Sequence, residues 1–257
     1  MKNNFLWKHP LLLLLVLSGL TLSSCHKNND DTPAPVYNND QLYAAAIKDA
    51  MVADSSEITN TLWPISDADT QLKWKTINGQ KYVLMATFMR FPSSYPSGDS
   101  ITTTWGEAWL FIPAQMKQKL AKAFQPGSDT IMRVCQLLGL PPVNPKTNTH
   151  IAEMWVNASR LYRPAGNPDI TTTTTGPVLL STVSQSYATW FNNYIIYAYY
   201  HTLQNANDYH YPWTRLGYTY DWAPGSQQHI GLSEYVMQAS SGCWVEKVSR
   251  AADYFKN

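Results

Sequence analysis

Two carboxylates and two arginines in the second half of the chain could do chemistry together. Asp221 and Glu234 could act as an acid/base pair, while Arg163 and Arg215 could hold an anionic group. Two carboxylates about 5–10 Å apart in a cleft are the arrangement that glycoside hydrolases use. A pocket of arginine, acid and aromatic residues would also suit an enzyme that cleaves NAD. These residue types therefore permit a hydrolase or transferase with Asp221 and Glu234 as its catalytic residues.

The aromatic-rich segment 211–222 (YPWTRLGYTYDW) predicts a strand with two different faces, because alternate side chains of a strand point to opposite sides. Tyr218, Tyr220 and Trp222 share the face that we expect in the core. The other face would be a binding surface, joined by Tyr211 and by Asp169 from an earlier loop. The strand residues expected on that second face are Trp213, Arg215, Gly217, Thr219 and Asp221.

Arg215 and Asp221 are too far apart to pair along such a strand, since six residues span about 20 Å, unless the chain bends sharply at Gly217. Each needs water, another protein group or a ligand as its partner. A salt-bridge network that holds a loop would use the same residues, so both interpretations stay open at this point. Aromatic side chains offer a large apolar area at small entropic cost, which suits sugars and planar ligands. Because the chain has no GxSxG motif, we favour a non-catalytic module that binds a carbohydrate, a peptide or another small molecule.

No cofactor or metal is predicted. His150 and Glu153 are three residues apart, which places them on opposite faces of the strand that we expect there. The chain has no HExxH motif, no pair of CxxC motifs, no GxGxxG and no P-loop. Its formal net charge is +1, whereas nucleic-acid-binding modules carry basic patches. We therefore expect no nucleic-acid partner.

The beginning of the chain predicts a signal peptide over residues 1–24. Its apolar run, residues 11–22 (LLLLLVLSGLTL), is shorter than the roughly 20 residues that a membrane-spanning helix needs. The run ends in LSSC, residues 22–25, which resembles the lipobox of bacterial lipoproteins. The resemblance implies cleavage before Cys25 and acylation of this cysteine by diacylglycerol and a further chain such as palmitate. Several acyl chains anchor a protein stably without a transmembrane helix.

Residues 25–40 are polar and contain proline, so we expect them to form a flexible tether behind the lipidated cysteine. In bacterial lipoproteins an aspartate directly after that cysteine implies retention in the inner membrane. This chain has His26 there, so the resemblance implies anchoring in the outer membrane. The sequence leaves open whether the protein faces the periplasm or the cell surface.

Residues 41–257 predict one globular α+β domain, in which about four helices pack on an antiparallel sheet that ends in a C-terminal meander. Asn78-Gly79 between two extended runs predicts a β-hairpin. Cys135 and Cys243 are expected as buried thiols rather than as a disulfide. The predicted helices cover residues 40–54 (capped by Asp40), 113–124, 128–138 and 182–204, and the further predicted strands cover residues 107–112, 150–156, 213–222, 229–238 and 243–249.

Five segments between residues 136 and 236 occur in an order that resembles an uncharacterised family of bacterial proteins. They are QLLGLPP, EMWV, LYRPAGNPDI, YPWTRLGYTYDW and GLSEYV. The family has a cysteine between its LYRP and PDI parts, where this chain has Ala165 and Gly166. The resemblance therefore implies no thiol chemistry here, and it supplies no activity.

Overall fold

The computed structural model describes residues 38–120, 124, 128–226 and 228–256, so the predicted signal peptide, Cys25 and nearly all of the tether lie outside the described residues. Within that part the fold is α+β, as the sequence predicts, and residues 37–257 belong to one compact unit. None of its helices is long and apolar enough to cross a bilayer. The described helices are α1 (Asn39–Ala50), α2 (Pro113–Leu120), α3 (Thr130–Leu137), α4 (Gln185–Tyr200) and α5 (Ala251–Tyr254).

The strands of the described residues form three sheets, and paired strands are antiparallel throughout. They are β1 (Trp74–Ile77), β2 (Gln80–Met89), β3 (Ser100–Thr102), β4 (Ala108–Leu110), β5 (His150–Asn157), β6 (Leu161–Tyr162), β7 (Tyr218–Tyr220), β8 (Ile230–Ser233), β9 (Tyr235–Met237) and β10 (Gly242–Arg250). The large sheet has the order β1-β2-β5-β10-β3, the middle sheet has the order β4-β9-β6, and the small sheet pairs β7 with β8.

The large sheet is covered on both faces. Asn78 and Gly79 form its β1–β2 turn, as predicted, and their φ values of 51° and 75° are the left-handed angles that a tight hairpin turn needs. Alternate residues of β2 then enter different clusters. Met85 packs in a core shared with the middle sheet, whereas Phe88 packs in a core shared with α2, α3 and α5. The large sheet is thus a layer between these helices and the middle sheet.

The helix ends follow local signals in the sequence. The side chain of Asn38 caps α1 by accepting a hydrogen bond from the Gln41 backbone, so the predicted cap at Asp40 is wrong by two residues. Asp129 caps α3, as one of the two predicted alternatives. Gly139 follows α3 with a φ of 65°, the left-handed conformation that terminates many helices.

Helix α4 lies against the outer face of the middle sheet. It is shorter than the predicted 182–204, because Ser184 caps its start and His201 is already extended at its end. Its aromatic stripe reaches the sheet at Trp109 of β4, whose ring centroid is 4.9 Å from that of Tyr194. The other side of α4 packs with α1 and the segment around Trp222 in a third hydrophobic cluster.

The predicted strand over residues 213–222 is wrong in its first half. Only Tyr218–Tyr220 form a strand. Arg215 and Gly217 have φ values of 61° and 79°, and this bend brings Trp213 back to form a bridge with Thr219. Alternation of faces therefore does not hold here, and residues of both expected faces are buried.

The C-terminal strands form close to their predicted places, but they do not form a meander. Strand β8 pairs with β7, β9 joins the middle sheet and β10 joins the large sheet. The core positions of Tyr218, Tyr220 and Trp222 are confirmed, with 2%, 4% and 2% exposure. Cys135 and Cys243 are both free and buried, as predicted.

Candidate functional site

A cavity of about 400 Å³ lies beside β4, the end of α4 and the turn that follows α3. Tryptophan and tyrosine side chains form much of its wall, so we call it the aromatic cavity. Its volume falls in the range of about 300–1,000 Å³ that is usual for small-molecule sites. The aromatic rings of this wall include those of Trp109, Tyr194, Tyr197, Tyr211 and Trp213.

Strand β4 directs an acid and an aromatic ring to the same side. Ala108 and Leu110 point into the core with 5% and 2% exposure. Because strand residues alternate, Trp109 between them and Glu107 before them point the other way. Both of these residues line the cavity. Ala108 and Leu110 line the cavity as well, so its wall includes residues from both faces of β4.

Glu107 and Glu234 lie at opposite ends of the paired strands β4 and β9. Glu107 directly precedes β4 and Glu234 directly precedes β9, and Leu110 is paired with Tyr235. The register places Glu234 level with the residue after Leu110, which is about 13 Å from Glu107 along the strand. Both side chains line the aromatic cavity, so the two carboxylates flank its wall around Trp109.

The Glu107 carboxylate accepts a hydrogen bond of 2.9 Å from the indole Nε1 of Trp190 on α4. The hydroxyl of Tyr162 is buried next to this carboxylate, and burial together with Glu107 raises the pKa of Tyr162 far above its usual value. Among the described residues, no hydrogen-bond partner of normal geometry reaches this hydroxyl. Glu107 is thus held by the Trp190 indole and lies beside the Tyr162 hydroxyl.

Glu234 is partly buried in the cavity wall, and among the acids of the described residues its carboxyl has the most strongly shifted pKa. Burial raises the pKa of its carboxyl to about 8, against a smaller opposing effect of the Arg163 charge. Its backbone N–H donates to the carbonyl oxygen of Gly217 at 3.0 Å. Within the described part of the chain, no donor forms a hydrogen bond or close ion pair with the carboxylate itself. A carboxyl group in such surroundings is protonated at neutral pH and can donate a hydrogen bond.

Tyr194 lies between the two acids. Burial raises its pKa far above the usual value, and the charges of Glu234 and Glu107 both add to the rise. Its ring stacks on the Trp190 indole at 5.4 Å and also contacts Trp109 and Trp213, with centroid distances of 4.9 and 4.8 Å. This neutral phenol and the indoles of Trp109 and Trp213 form the inner wall of the cavity.

Tyr197 and Tyr211 stack on each other at the edge of the cavity, with centroids 6.1 Å apart and ring planes 17° apart. Tyr197 is 48% exposed, so this pair faces solvent. Burial and the neighbouring phenol raise the pKa of Tyr211 to about 12, which keeps its hydroxyl protonated at neutral pH.

Four of the sequence-predicted site residues line the aromatic cavity: Tyr211, Trp213, Thr219 and Glu234. Two of them are already used by the fold. Trp213 is buried instead of exposed, and its Nε1 donates to the carbonyl oxygen of Pro164 at 3.1 Å. The Thr219 hydroxyl donates to the carbonyl oxygen of Leu137 at 2.6 Å. Tyr211 and Glu234 are the two that offer polar atoms to a ligand.

Arg163, predicted to hold an anion, is fully buried and outside the cavity lining. Its guanidinium lies over the Tyr235 ring, 4.9 Å from the centroid. A Cβ atom on Gly217 would come within 2.7 Å of the Arg163 Cδ, so the close approach that this glycine permits is made by Arg163 itself. The guanidinium donates to the backbone carbonyl oxygens of Trp63, Asp169, Ile170, Thr172 and Gly217.

Arg215 and Asp221 do not pair with each other, although the extended strand that was expected to separate them does not form, and each has a structural partner. Arg215 donates to the carbonyl oxygens of Ala50 and Met51 at 3.2 and 3.0 Å, at the C-terminal end of α1. Asp221 accepts two hydrogen bonds from Arg133 of α3, at 3.0 and 2.7 Å. The predicted exposed Arg/Asp face therefore does not form, because the bend at residues 215–217 turns both side chains toward the fold.

Asp169 is exposed and serves its own loop. Its carboxylate accepts hydrogen bonds from the backbone N–H and the hydroxyl of Thr171, at 2.8 and 2.7 Å. Neither Asp169 nor Asp221 lines the aromatic cavity. Asp221 and Glu234, the predicted acid/base pair, are thus placed in different surroundings.

Several cavity residues were not predicted, namely Glu107, Trp109, Tyr194 and Tyr197. A signal for them is present in the sequence. In EAWLFI, the acid and the tryptophan alternate with two small or aliphatic residues, which predicts a polar and aromatic second face. Tyr194 belongs to the i, i+3, i+4 aromatic stripe that predicts a core face of this helix, and Tyr197 follows it three residues later. The sequence does not show that this face of β4 and the aromatic stripe of α4 meet, as they do at Trp109 and Tyr194.

The comparisons with known proteins supply no relative: no family model, no curated protein and no solved structure matches the chain. The resemblance of residues 136–236 to a bacterial family therefore stays a prediction. Among the described residues, no group of three or more His, Cys, Asp or Glu side chains could hold a metal ion.

Proposed function

We propose that this chain is a lipid-anchored protein of the bacterial outer membrane that binds a small molecule in the aromatic cavity without transforming it. The anchor part of the proposal depends on the LSSC segment that ends at Cys25. The binding part depends on one observation, the cavity of about 400 Å³ with aromatic walls and two acids. Binding sites typically combine mostly apolar walls with a few placed polar groups.

The residues around the cavity are already immobilised, which favours binding. Trp190 holds Glu107, and Pro164 accepts a hydrogen bond from the Trp213 indole. Rings that are fixed before the ligand arrives lose little conformational entropy on binding. The cavity can therefore bind a ligand without first having to order these side chains.

A binding screen tests this function. Melting temperature and isothermal titration calorimetry on the purified protein would identify a ligand from a library of small metabolites and glycans. Tyr197→Ala removes an edge ring of the cavity, and Tyr200→Ala, on the next turn and 61% exposed, is the matched control. We expect the Tyr197 variant to lose affinity by about tenfold and the control to bind like the parent. Equal binding by both variants and the parent would place the site elsewhere.

A hydrolase or transferase is the second candidate, and the raised pKa of Glu234 favours it. A carboxyl group that stays protonated to about pH 8 can act as a general acid. Glu107 is the other acid of the cavity, but its backbone lies about 13 Å from that of Glu234 along the strand, against the roughly 5–10 Å between paired catalytic carboxyl groups. Glu234→Gln keeps the shape and removes the acid, so an enzyme would lose turnover of about 10²-fold or more with little change in ligand affinity. Retention of a bound, unaltered ligand over prolonged incubation would exclude this candidate for that ligand.

A further inference from the structure

We infer that the ligand of the aromatic cavity is a small organic cation, an ammonium group on a compact apolar body, held against the aromatic wall of the cavity whose acids are Glu107 and Glu234. This inference rests on the proposed binding function and specifies its ligand class.

The charges of the wall have one sign. Of the described residues that line the cavity, Glu107 and Glu234 are the ionisable acids, and no lysine, arginine or histidine is among them. An anionic ligand would find no cationic partner there. A neutral ligand such as a sugar could use the hydrogen-bonding atoms, including the protonated carboxyl of Glu234, but it would bring no counter-charge to Glu107.

The aromatic wall suits a cation in the same place. A cation is attracted to the face of an aromatic ring, and tryptophan is the strongest of the aromatic side chains in this respect. Trp109 lies on the wall between the two acids, and Tyr194 contacts it at 4.9 Å. Tyr197 and Tyr211 add a stacked pair on the side that faces solvent. Acids beside ring faces are the combination that recognises ammonium groups.

The one arginine near Glu234 is not available as its partner. Arg163 reduces the effect of burial on Glu234, yet its N–H groups donate to backbone carbonyl oxygens of neighbouring loops. The other ionisable groups that act on Glu234 are the phenols of Tyr194 and Tyr199, both of which stay neutral because burial raises their pKa. An ammonium ligand would supply the charge and the donor that the described residues do not.

Binding of a cation should therefore be linked to a proton. Because burial raises the pKa of Glu234 to about 8, the empty cavity holds a proton on this carboxyl at neutral pH. A cation favours the ionised form, so its binding releases that proton and its affinity rises by up to about tenfold per pH unit until the pH reaches about 8. Above that pH the affinity levels off.

The experiment compares cations with neutral molecules of the same shape. Choline is paired with its carbon isostere, in which a tert-butyl group replaces trimethylammonium, and butylammonium is paired with butan-1-ol. Titration calorimetry and the fluorescence of the cavity tryptophans measure binding of each. We expect at least one cation to bind about tenfold or more tightly than its isostere. Which of the two cations binds better separates quaternary from primary ammonium ligands.

Three matched variants locate the interaction. Glu107→Gln removes one acid from the cavity, and Glu234→Gln removes the carboxyl that a bound cation would ionise. We expect each to weaken cation binding about tenfold and to leave the isostere unaffected. Glu234→Gln should also abolish the pH dependence. Glu246→Gln is the control, because Glu246 accepts a hydrogen bond from the Trp155 indole at 2.6 Å, much as Glu107 does from Trp190, but lies on the exposed surface.

The outcomes separate the inference from the proposed function. If neither cation binds more tightly than its isostere, the inference is wrong. In that case a sugar or another neutral ligand whose affinity falls in Tyr197→Ala would leave the binding function intact. Cation binding that is equal in the parent and in both cavity variants would also overturn the inference, since the charge would then be recognised elsewhere.

Discussion

Replacing Glu234 by glutamine should stabilise the protein at alkaline pH and flatten its dependence on pH. The carboxyl of Glu234 has a pKa of about 8 in the folded chain and about 4.5 when it is free in water, because burial disfavours its charged form. Between these two values the folded state binds a proton that the unfolded state has lost. The free energy of unfolding therefore falls as the pH rises through this window.

The size of the effect follows from the gap between the two pKa values. Each pH unit changes the free energy of unfolding by about 1.4 kcal/mol, and the gap is about three and a half units. The parent should thus lose up to about 5 kcal/mol between about pH 4.5 and about pH 8 through this one group. The stabilising contribution is complete below about pH 4.5 and absent above about pH 8. Arg163 is the charge that limits the loss, because its attraction favours the ionised carboxylate.

Urea unfolding of the parent and of Glu234→Gln at several values between about pH 5 and about pH 9 measures the difference. Glutamine keeps the size and cannot ionise, so the two unfolding free energies should diverge as the pH rises, in favour of the variant. Glu246→Gln, on the exposed surface, should run parallel to the parent. Parallel curves for the parent and Glu234→Gln would refute the reasoning, since they would mean that Glu234 ionises in the folded chain as it does in water.

Three further outcomes test the anchor and the structural assignments. Cys25→Ser should abolish labelling by a clickable fatty acid in cells, and equal label on variant and parent would exclude the lipoprotein prediction. Trp222→Ala should cost about 3–5 kcal/mol in urea unfolding, because the side chain is 2% exposed and its Nε1 donates to the Leu140 carbonyl oxygen. Asp221→Asn should cost about 2–4 kcal/mol by leaving the partly buried Arg133 with a weaker partner. If the free energy of unfolding falls by less than about 0.5 kcal/mol, as for an exposed residue, the Arg133 pair does not stabilise the fold and Asp221 is again a candidate for ligand binding.

Much of the local structure was determined by the sequence itself. The Asn78-Gly79 pair can adopt the two left-handed conformations of a tight turn, so it fixes the register of β1 and β2 on its own. Asp129 and Gly139 bound α3 through short-range hydrogen bonds and a left-handed φ. These features need only residues that are close along the chain, and they were predicted correctly.

The segment 213–222 shows where pattern reasoning fails. Alternation of polar and apolar residues is a sound sign of a strand only when the backbone is extended. Here the backbone bends at Arg215 and Gly217, so the alternating residues before and after the bend do not belong to one strand. The buried Arg163 side chain packs against Gly217 at this bend. The partner of Asp221 is Arg133, which is 88 residues away in the chain. No spacing rule connects such a pair.

The sequence by itself determined the α+β class and the core positions of Tyr218, Tyr220 and Trp222. Tertiary structure alone decided the candidate site. Glu107 and Glu234 become neighbours of one cavity because β4 pairs with β9, and Tyr194 lies between them because α4 packs on that sheet. The raised pKa of Glu234 has the same origin, since burial depends on which elements exclude water from a side chain and not on the residues next to it in the sequence.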